Sequence, residues 1–278
     1  MRLARLDTVR HSNDSCLSVH EVAASGFGAE ADAYERARPS YPPDAVAWLA
    51  DALRLRSGAR VCDLAAGTGK FTRLLVPHLH GAELLAVEPV EGMRTLLARS
   101  LPDVPVADVP VAAATAEAMS FADGSLDGIA VAQAFHWFDA RAALEEFHRV
   151  LRPGGRLALV WNARDRSVPW VDELWSIMDR VEKRAPWRAH DEWRESAFVD
   201  TPWFGPLTDA TFHHEQVLSP DGVVERVRSV SHVAVLPPDR QEAVLDEVRT
   251  LLRTDPATAG RDELALPYRV DAYWAERT

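Results

Sequence analysis

Asp63-Leu-Ala-Ala-Gly-Thr-Gly69 ends a short apolar run, residues 59–65, and leads into a segment with Phe71, Leu74 and Leu75 at helical spacing. Mostly apolar and closed by small residues, the run reads as a buried parallel strand. Gly67-Thr-Gly69 is then the turn, and Pro77 limits the helix. The pattern repeats: residues 84–87 form a second apolar run, and Met93, Leu96 and Leu97 mark a second helix. A strand, a glycine turn, a helix and a strand make a βαβ unit, which requires a parallel sheet covered by helices.

The rhythm continues to residue 161. Residues 104–108 and 109–113 read VPVAD and VPVAA, a near-duplication. The second copy is taken as the third strand because it runs directly into Thr115-Ala-Glu117. Residues 127–133 predict a fourth strand, 139–151 a helix, Pro153-Gly-Gly155 a turn, and 156–161 a fifth strand. Upstream, a helical pattern around Tyr34 stops near Ala37, because Arg38 precedes Pro39. Pro42 and Pro43 then open a helix whose apolar face is Val46, Trp48, Leu49 and Leu53. Downstream, residues 162–205 are polar, helical and Trp-rich. Strands are predicted at 211–217 and 264–270, with helices at 221–230 and 239–253 between them. The economical reading is an α/β fold. It is a Rossmann-like, seven-stranded, mostly parallel sheet with helices on both faces and a small helical cap, 162–205, inserted after the fifth strand. One domain spans 21–278, behind a flexible polar tail at 1–20.

Charge narrows the partners. Lys plus Arg number 31 against 42 Asp plus Glu, a net charge of −11. That sign repels phosphate backbones and anionic membranes, so nucleic acid and membrane are not expected partners. No apolar run reaches the ~18 residues a bilayer span needs. Arg2, Arg5 and Arg10 are not followed by the apolar stretch of a signal peptide. Cys16 and Cys62 lack metal-type spacing, which fits a reducing cytoplasm. A cytoplasmic protein with a small-molecule substrate is expected, as a monomer or a homodimer.

The chemistry concentrates at the glycine turn. Glycines let the backbone approach a ligand closely, and a helix N-terminus offers free N–H groups. Glu88 follows Gly67 by 21 residues, at the end of the next strand. That is where a carboxylate accepts both hydroxyls of a ribose. An adenosine-containing cofactor follows. A dinucleotide asks for G-x-G-x-x-G, but here the pattern is Ala65-x-Gly67-x-Gly69 and residue 72 is Thr. S-adenosylmethionine carries no phosphate and brings an ammonium group, which suits a carboxylate such as Asp63. The choice tilts that way.

Six motifs carry a resemblance. They are Tyr34-Glu-Arg-Ala-Arg-Pro-Ser-Tyr-Pro42, Asp63-Leu-Ala-Ala-Gly-Thr-Gly-Lys70, Val87-Glu-Pro-Val-Glu-Gly-Met93, Ala114-Thr-Ala-Glu117, Gln133-Ala-Phe-His-Trp-Phe-Asp139 and Arg149-Val-Leu-Arg-Pro-Gly-Gly155. In this order they resemble the class I S-adenosylmethionine-dependent methyltransferases of the type-11 group, and within it the trans-aconitate methyltransferase-like subgroup. The resemblance covers about half the chain. It implies that Ala65, Gly67, Thr68 and Gly69 line the methionine part of the cofactor and Glu88 the ribose. Pro89 and Met93 flank the adenine, and Ala116 and Glu117 meet its edge. Gln133 and Ala134 close the site behind the sulfonium. Tyr34 and Arg38 cover the cofactor, Arg38 as a partner for its carboxylate. S-adenosylhomocysteine is the implied product. One departure is Ala65, where the common motif has glycine; a methyl is tolerable there if the local φ is negative.

Acceptor residues are expected beyond the fourth and fifth strands, where ligands bind in such sheets. His136 is the catalytic candidate, read either as a general base or substrate hydrogen-bonder or as a histidine packed beside Phe135 and Trp137. Trp137, Trp161, Asn162 and Trp170 are substrate candidates. Trp170, Trp175, Trp187 and Trp193 either roof a pocket or form the core of the cap. Arg164 and Asp165 either line the entrance or form an exposed ion pair. His213 and His214 are adjacent, so a strand sends them to opposite faces, and no metal site is expected. The alternatives are a nicotinamide-dependent oxidoreductase and a non-catalytic S-adenosylmethionine-binding protein. A nucleic-acid base methyltransferase is disfavoured, because Gln133-Ala-Phe-His136 replaces the Asn/Asp-Pro-Pro-aromatic type.

Overall fold

A computed structural model describes residues 37–101, 111–181, 197–199 and 201–278. The tail at 1–20, Tyr34, Cys16, the 104–108 copy, Trp187 and Trp193 lie outside the described residues. In chain order the elements are α1 (Pro43–Ala52), β1 (Arg60–Leu64), α2 (Lys70–Leu75), β2 (Glu83–Val87), α3 (Glu91–Ser100), β3 (Val111–Ala112), β4 (Leu126–Ala132), α4 (Ala140–Val150), β5 (Leu151–Arg164), α5 (Pro169–Val181), β6 (Thr208–Leu218), α6 (Pro220–Arg228), α7 (Ser231–Ala234), α8 (Pro238–Thr254) and β7 (Leu264–Glu276). The second VPVA copy supplies β3.

The seven strands form one sheet in the order β3-β2-β1-β4-β5-β7-β6. β1 to β5 pair in parallel. β7 is antiparallel to both β5 and β6, so six strands share one direction. Strand order reverses between β1 and β4. The crevice at their carboxyl ends is the topological switch point, where such sheets bind ligands.

Both faces are covered. On one, α4 lays Leu144 and Phe147 against Leu64, Val131, Leu159 and Trp161. On the other, α1 lays Val46 and Leu49 against Val61, Ala130 and Val160. Pro43 fixes the first turn of α1 without losing a helical hydrogen bond, and Asp139 caps α4 by accepting from the Ala142 amide at 3.1 Å. A third apolar cluster joins α5, α6 and α8 to Leu264, Leu266 and Tyr268 of β7. Trp170 and Trp175 belong to that cluster, which reaches beyond residues 162–205 into α6, α8 and β7.

The structure moves several boundaries. Leu126 pairs with Leu151 and Gly128 with Arg156, so Pro153-Gly-Gly155 is a bulge inside β5 and not a free turn before it. β5 also continues through Asn162–Arg164. Its pairing with β4 ends at Val160, but pairing with β7 carries it on to Arg164 against Tyr268. The last two strands run longer than predicted for the same reason: each satisfies the other's backbone over 11 residue pairs.

Candidate active site

The glycine turn joins β1 to α2, and both its glycines are left-handed, Gly67 at φ 59° and Gly69 at φ 83°. Gly69 has a second reason to lack a side chain. A Cβ there would sit 2.3 Å from Leu97 Cδ1 of α3. Over Gly67 the nearest atom to such a Cβ is Met93 Sδ at 4.0 Å, which leaves the face of the turn open. Ala65 also has a positive φ, 54°. The condition set for that alanine in the sequence is therefore not met, and its methyl costs about 1–2 kcal/mol of strain. Gln133, at the end of β4, is strained likewise at φ 58°. These two non-glycine residues flank the switch point, where such strain commonly serves function.

Glu88 follows β2 and is almost fully buried. Its Oε2 accepts from the Gly67 amide at 2.9 Å and its Oε1 from the Val90 amide at 2.8 Å. Arg94 of α3 braces the same corner by donating to the Glu88 carbonyl at 2.9 Å and to the Pro89 carbonyl.

Asp63, in β1, is fully buried. Thr72 Oγ1 donates to its Oδ2 at 2.6 Å, while its Oδ1 has no hydrogen-bond partner. Burial raises its pKa to about 7; Glu88 adds to the rise and the Thr72 bond opposes it. Thr72 occupies the position where a dinucleotide fingerprint has its third glycine. The residue that breaks the fingerprint thus holds the carboxylate, a role the sequence did not assign.

At the end of β4, Phe135–Trp137 form one 3-10 turn. His136 is half-buried and packs on Trp137 with ring centroids 5.0 Å apart. Trp161 Nε1 donates to His136 Nδ1 at 3.3 Å. With Nδ1 accepting, the proton of the neutral ring is on Nε2.

Other candidates have partners within the protein. The Arg38 guanidinium donates to the Ser229 carbonyl at 2.8 Å, and Lys70 Nζ to the Arg38 carbonyl at 2.7 Å. The Glu117 carboxylate accepts from the Asp139 amide at 3.0 Å, and Glu117 lines a groove along α4 with Glu145 and Trp203. Ala116, Met93, Ala134 and Thr68 are buried. The Thr68 carbonyl is held by Arg73 and Ser100, at 3.0 and 3.2 Å. Asn162 is fully engaged. Its Nδ2 donates to the Ser40 carbonyl at 3.1 Å and its Oδ1 meets His214 Nε2 at 2.9 Å. Arg164 pairs with Asp179 at 3.0 Å and lies over the Trp175 ring. Asp165 instead accepts from the Ser167 amide, which holds its carboxyl below the usual range. Among the described residues no cluster suits a metal ion. Nor is any helix long and apolar enough to cross a membrane.

Comparison with known proteins decides the family. A family model described as a methyltransferase domain matches residues 62–159. An uncharacterized methyltransferase of Mycobacterium tuberculosis (strain ATCC 25618 / H37Rv) is 40% identical over 242 residues, 87% of this chain and 91% of that protein. The chain belongs to the S-adenosylmethionine-dependent methyltransferases. This methyltransferase is also 32% identical to an uncharacterized methyltransferase-like protein of Schizosaccharomyces pombe, over 92% of this chain and 97% of that one. A solved structure described as a type II methyltransferase from Anaeromyxobacter dehalogenans aligns with TM-score 0.62 and 26% identity, covering 86% of this chain and 96% of that one. Membership does not favour the nicotinamide oxidoreductase or the non-catalytic binder. The relatives named here do not single out the trans-aconitate subgroup.

Proposed function

We propose that this methyltransferase holds S-adenosylmethionine over the Asp63–Glu88 corner and methylates a small molecule at the carboxyl ends of β4 and β5, with S-adenosylhomocysteine as product. The observation that carries the reading is the pair of buried carboxylates at the ends of β1 and β2, one of them with an orphaned oxygen. Asp63 Oδ1 has no hydrogen-bond partner, and Glu88 is aligned by two backbone amides. An ammonium group satisfies the first, and two ribose hydroxyls satisfy the second. The open face of Gly67 gives the chain between them room.

When bound, S-adenosylmethionine supplies an electrophilic methyl with its leaving group already in place. The protein's remaining task is alignment, worth about 7–11 kcal/mol where it is complete. His136 serves that task as a donor. Its Nε2–H meets an oxygen of the acceptor, because Trp161 occupies Nδ1. A carboxylate acceptor gives up no proton, and then no base is needed. Ala65 and Gln133 hold the backbone of β1 and β4 turned around the reacting centre. Arg38 and the residues after β5 close the site.

Incubating the purified chain with methyl-labelled S-adenosylmethionine and a fractionated metabolite extract tests the reading. Label is expected in a small, protease-resistant product, and transfer should be lost in the Glu88→Ala variant. Label found only in protein or nucleic acid, or none with either chain, would contradict it.

A further inference from the structure

Arg226 of α6 is a buried cation, 6% exposed. Its Nε donates to the Tyr268 hydroxyl at 3.1 Å, and its Nη1 has no hydrogen-bond partner. Its guanidinium lies 5.7 Å from the centroid of the Trp175 ring. The Trp175 Nε1–H is buried and also without a partner. Arg164 stacks on the same indole at 4.6 Å, but Arg164 has its counterion in Asp179. Arg226 has none among the described residues.

An arginine cannot shed its proton to escape burial. An unpaired buried charge is costly, and the cost is removed by an anion. Cation–π contact with Trp175 offsets part of it but leaves Nη1 and Trp175 Nε1 as two donors lacking an acceptor. We propose that Arg226 and Trp175 form an oxyanion subsite in the helical layer, taking the carboxylate or phosphate of a small ligand. Planar, forked donors match such oxygens.

The surroundings tie this subsite to the end of the sheet. Tyr268 donates on to Gln216 Oε1 at 3.4 Å, and Gln216 Nε2 to the Ala37 carbonyl at 3.1 Å. Tyr268 also stacks on His214, centroids 5.4 Å apart, and His214 bonds Asn162 at the end of β5. Burial holds the His214 pKa below its ordinary value, so that ring contributes no competing cation near neutral pH. The oxyanion has two sources: a free inorganic ion, or the acid group of the methyl acceptor. The second source rests on the methyl-transfer reading, whereas anion binding itself does not.

Thermal unfolding of the full chain, with no S-adenosyl compound present, separates these cases. Sodium phosphate and sodium glutarate are each compared with sodium chloride at matched ionic strength, in wild type and Arg226→Met. Phosphate stabilises proteins generally, so the informative quantity is the difference between the two chains. The expected result is an anion-dependent rise in Tm in wild type that is absent in Arg226→Met, which in chloride melts no lower than wild type. A response to both anions assigns the subsite to free oxyanions, and a response to glutarate alone assigns it to a carboxylate ligand. If Arg226→Met does not fold, Arg226→Lys takes its place and should show a weakened response. Equal responses in both chains, or none in wild type, would overturn the proposal and leave Arg226 as a packing cation for Trp175.

Discussion

The Nε1–H of Trp161, at the end of β5, donates to Nδ1 of His136, just past the end of β4. The indole is fully buried, so this bond fixes the ring's tautomer and orientation together. On the proposed reading, His136 then faces the acceptor with an N–H and not a lone pair. The base reading would require Nδ1, which is taken, or a tautomer that breaks this bond.

The first prediction follows. His136→Gln keeps a side-chain N–H donor and should retain turnover within about tenfold, or ~1.4 kcal/mol. His136→Ala should raise KM for the acceptor more than it lowers kcat. Trp161→Phe should resemble His136→Ala, because the ring loses its orienting bond. A base would instead cost about 10²–10⁴-fold in kcat. Steady-state kinetics across pH read the split, and a fall of that size in His136→Gln would reinstate the base.

Asp63 gives a pH prediction. Its folded pKa is raised to about 7 from 3.8, so the folded state holds a proton that the unfolded state releases. This contribution to stability is complete below about pH 4 and is lost as pH rises towards 7. Asp63→Asn should flatten that fall in chemical denaturation. A cationic ligand beside Asp63 lowers its pKa, so cofactor binding near pH 6 should release a proton, seen calorimetrically as a heat that depends on the buffer. A heat that is the same in buffers of different ionisation enthalpy would argue against an ammonium at Asp63.

Backbone strain gives a third prediction. Gly69→Ala places a Cβ 2.3 Å from Leu97 Cδ1 at a positive φ, so a loss of about 1–3 kcal/mol is expected. Ala65→Gly relieves the strain of φ 54° but adds chain entropy of about 0.5–1 kcal/mol. It should be neutral or stabilising by up to about 1 kcal/mol. Urea midpoints at unchanged slope measure both.

The sequence carried the succession of strands along the chain as far as β5, because parallel strands buried on both faces read as short apolar runs. It carried Asp63, Gly67, Gly69 and Glu88 for a related reason: turn chemistry and spacing are local. It did not carry long-range partners. Nothing near Asn162 in the chain announces Ser40 or His214, and nothing near Arg226 announces Trp175. The extension of β5 was hidden because its partner β7 begins 100 residues beyond Arg164. Thr72 was visible only as a missing glycine; the carboxylate it serves lies across the turn, in β1. The sign of φ at Ala65 is a property of the folded turn, and alanine gave no hint of it.

The cofactor corner is tested most directly by titrating S-adenosylhomocysteine into the wild-type chain and into Glu88→Gln, followed by isothermal calorimetry, with NADH as control. Saturable one-site binding is predicted for wild type. A loss of about 1.5–3 kcal/mol is predicted for Glu88→Gln, the worth of a hydrogen bond to a charged group, and no binding of NADH by either. Equal affinity in the two chains, or binding of NADH in place of S-adenosylhomocysteine, would contradict the account.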